Sequence, residues 1–318
     1  MKNYLYLEVI KVQKETTDSL TLTLKEKNNK SLDFAPGQFL TFIFEIDGRE
    51  IKRGYSISSS PSELPLLKIT IKKVSGGYTS KFLFESLKEG NTIKSLPPLG
   101  SFTVKPNKNN KNKYVFFGAG SGITPLYSMI KSILSVEKES KVYLLYGNRN
   151  EESIIYKNGF DELKRTYDNF FITYILSRPS VDWRKKTGRI SYDLTVEFVK
   201  KHINGFDENT EFFMCGPEGM MKEIMKALKD LKVNREKIHR EIYHVEIIDE
   251  TEEVEEKERE VTLFLTTRNI KYYWNRGKVS LKWPWKTACS SVTAGHAGLS
   301  CFQASYNWLN KLLYPKKK

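Results

Sequence analysis

The sequence predicts a small antiparallel β-barrel followed by a doubly wound parallel α/β domain, with a compositionally distinct tail behind them. Three observations carry this reading. Residues 1–106 alternate apolar and polar positions in short runs separated by turn signals. From residue 107 to 245 the rhythm becomes buried strand, short connection, amphipathic helix, repeated. After an acidic linker at 246–260, the stretch 261–318 holds ten Lys/Arg and no Asp or Glu.

In the first part the strand-like runs are LYLEVIKV (5–12), LTLTLKE (20–26), QFLTFIFEI (38–46), YSIS (55–58) and LKITIKKV (67–74). Asp47-Gly48 and Ser75-Gly76-Gly77 mark turns between them. A single helix, TSKFLFESLKEG (79–90), follows, and the barrel is expected to close near LGSFTV (99–104). The Lys/Asn run 105–113 reads as a surface linker. The second part runs strand 113–120, helix 124–134, strand 141–148, helix 159–167, strand 170–177, helix 192–203, strand 210–217 and helix 219–231. No internal repeat is visible.

The bulk numbers set bounds. At 318 residues the chain has room for two domains and a further piece, and 39% apolar with 28% charged residues is ordinary for a globular protein. No apolar run reaches the length of a membrane span, and the start reads as a first strand rather than a signal peptide. Cys215, Cys289 and Cys301 give no disulfide framework, so a reducing cytoplasm is the expected setting, with no membrane partner. The net charge of +14 is divided: −7 in 246–260, +10 in 261–318 and +11 in 1–245. An acidic linker thus separates a moderately basic body from a basic tail; charge alone would suggest nucleic acid, but no nucleic-acid partner is expected.

Four motifs bear on chemistry. In FFGAGSGITP, Gly118, Gly120 and Gly122 sit where a strand turns into a helix, with Pro125 in its first turn. Such a turn lets backbone N–H groups approach a pyrophosphate at a helix N-terminus, or it is merely structural. Its spacing is G-x-G-x-G rather than G-x-G-x-x-G. In IKRGYSISSSP, Arg53 and Tyr55 share one strand face and Ser56 takes the other; Tyr55 could stack on a planar ring while Arg53 holds phosphate, or they are an ordinary surface Arg and a half-buried Tyr. In KKVSGGYTS, Gly76, Gly77, Thr79 and Ser80 open a helix, suited to a second diphosphate or to plain capping. In FFMCGPEGMM, Cys215, Gly216 and Pro217 stand at the carboxyl end of a strand, where open α/β sheets bind ligands; alone, Cys215 reads as a buried structural thiol. The four histidines (His202, His239, His244, His296) have no metal-ligand spacing, and no nucleophile–base pair is visible.

Taken in order, RGYSISSSP, SGGYTS, PLGSF, GAGSGITP, YGNR, LSR and CGPEGMM resemble the ferredoxin–NADP reductase-like flavoproteins across roughly residues 3–245. The nearest subgroup resembled is the reductases fused to a C-terminal plant-type ferredoxin domain. The resemblance implies an FAD-binding barrel and an NADP-binding α/β domain. It puts Tyr55 against the flavin, Arg53 and Ser56 on its phosphate and ring edge, and the Gly76–Ser80 turn on the FAD pyrophosphate. It puts Gly118, Gly120, Gly122 and Thr124 on the NADPH pyrophosphate, and Cys215 with Gly216 and Pro217 beside the nicotinamide. Ser177 and Arg178 would hold the 2′-phosphate, with Arg149 and Arg189 as helpers, since a guanidinium fork matches a phosphate dianion. In REIYHVE, Glu241 and Tyr243 take the place of an acid and an aromatic that approach the flavin. Cys215, Tyr55 and Glu241 are thus the residues expected closest to the hydride path. The activity implied is transfer of electrons from NADPH through FAD to an external ferredoxin-like protein or oxygenase.

The tail departs from that pattern. EVTLFLTT resembles the first strand of a ferredoxin domain, but a plant-type cluster needs C-x4-C-x2-C and a distant fourth cysteine. Cys289 and Cys301 are separated by eleven residues, and the tail offers no further thiol. It is expected to be a degraded or frame-shifted ferredoxin-like remnant that binds no metal and no 2Fe–2S cluster, or else a divergent basic tail that docks on a partner. Two further functions compete with the reductase reading: a flavin or quinone reductase with a small-molecule acceptor, and a binding protein that has kept the fold and lost electron transfer.

Overall fold

The computed structural model describes residues 4–28, 32–46, 48–74, 76–203 and 208–242, together with three strands between 259 and 282. In the first part lie β1 (Leu5–Lys14), β2 (Ser19–Glu26), β3 (Phe39–Ile46), β4 (Arg49–Ser56), β5 (Leu66–Lys72), α1 (Tyr78–Ser86) and β6 (Thr92–Ser95). The strands form an antiparallel sheet in the order β4-β3-β6-β1-β2-β5. Alternation builds it: Leu5, Leu7 and Val9 of β1 turn inward while Tyr6 and Ile10 face out. Leu7, Leu22, Leu24, Leu40, Phe42, Leu67 and Ile69 are fully buried, each worth about 1.5–3 kcal/mol relative to exposure.

Closure comes from a different place than LGSFTV. The chain leaving β4 bridges β5 through Ile57 and Ile69, joining the two ends of the sheet. Leu99 pairs with Phe39, but Phe102 and Val104 turn away into the core of the α/β half. The Lys/Asn run that follows is pinned down. Fully buried Glu137 accepts from the Asn107 backbone N–H (3.0 Å) and the Asn110 amide (2.8 Å).

The second part holds β7 (Lys113–Ala119), α2 (Ile123–Val136), β8 (Lys141–Asn148), α3 (Lys157–Thr166), β9 (Phe170–Leu176), β10 (Lys186–Thr187), α4 (Tyr192–His202), β11 (Thr210–Cys215), α5 (Glu218–Asp230) and β12 (Ile238–Glu241). Its strands are parallel, ordered β10-β9-β8-β7-β11-β12. Helices α2 and α3 cover one face, sharing a core with Phe116, Leu144 and Tyr146. Helices α4 and α5 cover the other, over Val115, Phe117, Leu145 and Phe212. Burial on both faces explains the near-continuous apolar strands. Local signals agree: Ser191 caps α4 by accepting from the Leu194 N–H (3.3 Å), and Lys200, Lys201 and His202 occupy its last turn. The short edge strands β10 and β12 carry too little alternation to be visible in the sequence.

The two parts are tied together by polar contacts on α2 and at the residue before α3. Ser128 Oγ donates to the Ser59 carbonyl (2.6 Å), and Ser132 Oγ to Ser60 Oγ (3.0 Å). Lys131 pairs with Glu63, and Tyr156, in the left-handed region at φ 60°, meets Thr70 through its hydroxyl.

A second unit spans Ile248–Lys318. In it, β13 (Arg259–Leu265), β14 (Arg268–Asn275) and β15 (Lys278–Lys282) form an antiparallel sheet, β13 covering the EVTLFL run. Cys289 and Cys301 lie outside the described residues. No helix among the described residues is long and apolar enough to cross a membrane.

Candidate functional site

The sheet order creates the site. From β7 the chain moves outward through β8, β9 and β10, then returns to β11 on the opposite side of β7. The carboxyl ends of β7 and β11 therefore bound a topological switch point, where open α/β sheets bind ligands. In register across that edge stand Gly118 of β7, Cys215 of β11 and Glu241 of β12.

The glycines are there for closeness. A β carbon at Gly118 would lie 3.1 Å from Leu126 Cδ1, and one at Gly122 only 2.3 Å from the Cys215 carbonyl oxygen. Gly120 takes a positive φ of 53°, which glycine adopts without strain. Thr124, in the first turn of α2, donates its hydroxyl to the Ser121 carbonyl (2.9 Å). Gly216 approaches Ala119 and Met220 where a β carbon would be 2.6 Å from Met220 Cε, and Pro217 leads into α5. The phosphate-type turn and the Cys215-Gly216-Pro217 turn thus touch each other, forming one cradle that a side chain would fill.

Glu241 is the chemically unusual member. Its Oε2 is buried with no hydrogen-bond partner among the described residues. Burial alone raises its carboxyl from 4.5 to about 7. A carboxyl poised near neutrality at the end of a strand can hold or release a proton at the pH of the cell. Tyr243 lies outside the described residues.

On the barrel, Arg53 and Tyr55 lie opposite Phe42 and Leu40 of β3, and hence on the same face. Tyr55 rests on Phe42 with ring centroids 5.3 Å apart, and burial pushes its phenol up to about 12. Ser56 is buried, and the chain runs directly from it into the Ser58–Ser60 segment held on α2. At the other turn, Gly76 has φ 76° and Gly77 begins α1 without a side-chain cap. Ser80 acts inside the turn instead, accepting from the Val74 N–H (3.0 Å) and donating to the Gly77 carbonyl (3.1 Å). Neither Thr79 nor Ser80 stands at the helix cap, and Ser80 holds the loop in shape.

Ser177 and Arg178 extend the pairing of β9 with β8: the Ser177 N–H reaches the Asn148 carbonyl (3.0 Å) and the Arg178 N–H the Arg149 carbonyl (2.7 Å). Arg149 and Arg178 thereby share one exposed edge. Arg189 stands apart, lining a cleft of about 320 Å³ at the start of α4 with Lys186, Asp193 and Glu197. One residue near the cradle carries no mark in the sequence. The Lys72 ammonium, paired with Asp18 (3.6 Å), lies 3.8 Å from where a Gly120 side chain would begin. Its signal in IKKV is no different from that of a surface lysine.

Comparison with known proteins gives the family. Family descriptions of an oxidoreductase FAD-binding domain and an oxidoreductase NAD-binding domain match residues 6–104 and 116–226. One component of the 1,2-phenylacetyl-CoA epoxidase of Escherichia coli is 33% identical over 249 residues, covering 77% of this chain and 69% of that protein. Ferredoxin–NADP reductase B of Sorangium cellulosum is 29% identical over 70% of this chain and 90% of its own length. A cytochrome P450 reductase from Amycolatopsis superposes with a TM-score of 0.66 at 25% identity, covering 76% of this chain and 69% of that one. The chain belongs to the ferredoxin–NADP reductase-like family of FAD- and NAD(P)-dependent oxidoreductases.

Proposed function

We propose that the chain takes electrons from NADPH and passes them, through FAD on the barrel, to an external iron–sulfur protein or oxygenase component. One observation carries this: the row Gly118–Cys215–Glu241 beside a glycine turn at the switch point, joined through α2 to the strand bearing Arg53, Tyr55 and Ser56. When bound, FAD supplies the chemistry of accepting one hydride with its two electrons and releasing those electrons singly. The residues of the chain do the rest. Tyr55, Arg53, Ser56 and the Gly76–Ser80 turn would hold the flavin, and the glycine turn with Thr124 and Lys72 the dinucleotide diphosphate. Cys215 and Glu241 would border the transfer point, where Glu241 holds a proton. The relatives named as an epoxidase component and a P450 reductase support an oxygenase-type acceptor.

NADPH is favoured over NADH because a backbone hydrogen bond sets Arg178 beside Arg149 on an exposed edge, where their guanidinium groups would offer forked donors to a 2′-phosphate. Glu151, the nearby acid in sequence, is engaged by the Ser180 N–H and hydroxyl. Arg178→Ala is expected to raise KM for NADPH about 10- to 100-fold, the worth of a charge-assisted bond, and to leave NADH almost unchanged. Lys72→Met, which addresses the shared diphosphate, is expected to raise KM for both nucleotides alike. Steady-state kinetics with each nucleotide separates the two effects.

The tail's two cysteines cannot ligate a four-thiolate cluster, so purified chain should show flavin absorbance bands without those of an iron–sulfur centre. The direct test is anaerobic titration: yellow protein with one FAD, bleached by NADPH, then reoxidised faster by ferredoxin than by free flavin or quinone. Colourless protein, or flavin that NADPH leaves oxidised, would overturn the reading. Faster reoxidation by free flavin would favour the small-molecule reductase.

A further inference from the structure

Tyr146 is the largest of the fully buried side chains, yet its hydroxyl reaches the glycine turn. It sits on β8, and its ring is fixed by Phe160 (centroids 5.9 Å apart) and Tyr174 (6.1 Å). The hydroxyl donates to the Gly120 carbonyl at 3.1 Å. Burial raises the phenol well above its ordinary range, so it stays a donor.

The consequence follows from peptide geometry. In a planar trans peptide the N–H points opposite to the C=O. Pulling the Gly120 carbonyl toward the core aims the Ser121 N–H away from it. The Thr124 hydroxyl on the Ser121 carbonyl (2.9 Å) does the same for the Gly122 N–H. Both carbonyls also accept the Ile123 N–H, and the two hydroxyls, one from α2 and one from the neighbouring strand, give each a second fixed partner, so the two successive N–H groups point away from those partners. Gly120 has no side chain and takes φ 53°; its carbonyl accepts the Ile123 N–H from within the turn, and the Tyr146 hydroxyl adds a second tie from outside it.

We infer that Tyr146 is a positioning residue for the dinucleotide: through the Gly120 carbonyl it presets the outward N–H groups that receive the diphosphate. This rests on the proposed dinucleotide binding and assigns a role to a core residue that touches no ligand.

The test uses Tyr146→Phe in the full chain with FAD bound. Two probes are titrated by calorimetry: ADP-ribose, which carries the diphosphate, and 2′-AMP, which lacks it. Loss of one preorganising hydrogen bond should weaken ADP-ribose about tenfold and leave 2′-AMP unchanged. KM for NADPH should rise by the same factor while kcat at saturation holds. Tyr174→Phe is the control. Tyr174 lies opposite Tyr146 in the β8–β9 register, and its hydroxyl is buried with no partner among the described residues. Removing that hydroxyl should alter neither probe. The inference is overturned if Tyr146→Phe binds ADP-ribose as the wild type does, if both probes weaken equally, or if Tyr174→Phe matches it. If the wild-type chain takes up no ADP-ribose, the dinucleotide reading itself falls.

Discussion

Replacing Gly122 by alanine is expected to abolish most NADPH-driven flavin reduction while FAD stays on the barrel. The added β carbon would stand 2.3 Å from the Cys215 carbonyl oxygen, 2.6 Å from its carbon and 2.8 Å from the Gly216 nitrogen. All three are backbone atoms, so no rotamer change relieves the clash. Either α2 moves off β11, or the Cys215-Gly216-Pro217 turn moves off the cradle. Both movements displace the groups that would align the nicotinamide, and misplacement by about 1 Å costs on the order of 100-fold in rate. Overpacking at such a point also lowers stability by about 1–3 kcal/mol. Stopped-flow bleaching of the flavin measures the first effect and thermal unfolding the second. FAD content should match the wild type, because Tyr55, Arg53 and the Gly76 turn belong to the barrel. A variant that is reduced at the wild-type rate would show that the two turns do not need to touch.

The contrast between Gly122 and Lys72 shows which parts of the site the sequence could reveal. Gly122 announces itself, since three glycines at a strand-to-helix change point to a backbone that something must approach closely. Lys72 does not, because its proposed role depends on a barrel strand ending beside a turn some fifty residues later. The strands of the barrel were legible where burial is one-sided, as along Leu5, Leu7 and Val9, and the parallel strands were legible as apolar runs. The edge strand β12 was not. Its four residues, Ile238 to Glu241, are all half-buried or exposed, so no periodicity marks them. Only pairing with β11 puts Glu241 next to Cys215. Phe102 and Val104 looked like the barrel's last turn because local pattern cannot say which of two cores an apolar side chain will enter. Tyr146 was hidden for the opposite reason, reading as one more apolar position in a buried strand.

Glu241→Gln should make the protein more stable at alkaline pH and remove a break in its pH–rate profile. The sign follows from the shift. The folded carboxyl titrates near 7 rather than 4.5, so the folded chain binds a proton that the unfolded chain has released across that window. Stability therefore falls as pH rises from about 4.5 to 7, and the loss is complete above 7. At 1.36 kcal/mol per pH unit, reduced for the partial exposure of the side chain, the loss amounts to about 2–3 kcal/mol. Glutamine keeps the shape and cannot ionise, so urea unfolding should show the variant gaining on the wild type between pH 5 and pH 8. An equal difference at both values would mean that Glu241 is not buried as a carboxylate. Activity should report the same group. Deprotonated, Glu241 sets a negative charge in register with Cys215, and if it faces the flavin, which gains negative charge on reduction, that charge would oppose the transfer. Flavin reduction in the wild type should slow above pH 7, on the order of tenfold for each 1.4 kcal/mol of unfavourable charge. In the glutamine variant the rate should stay level through the same range. A break near 7 that survives the substitution would assign the titration to another group and leave Glu241 with packing alone.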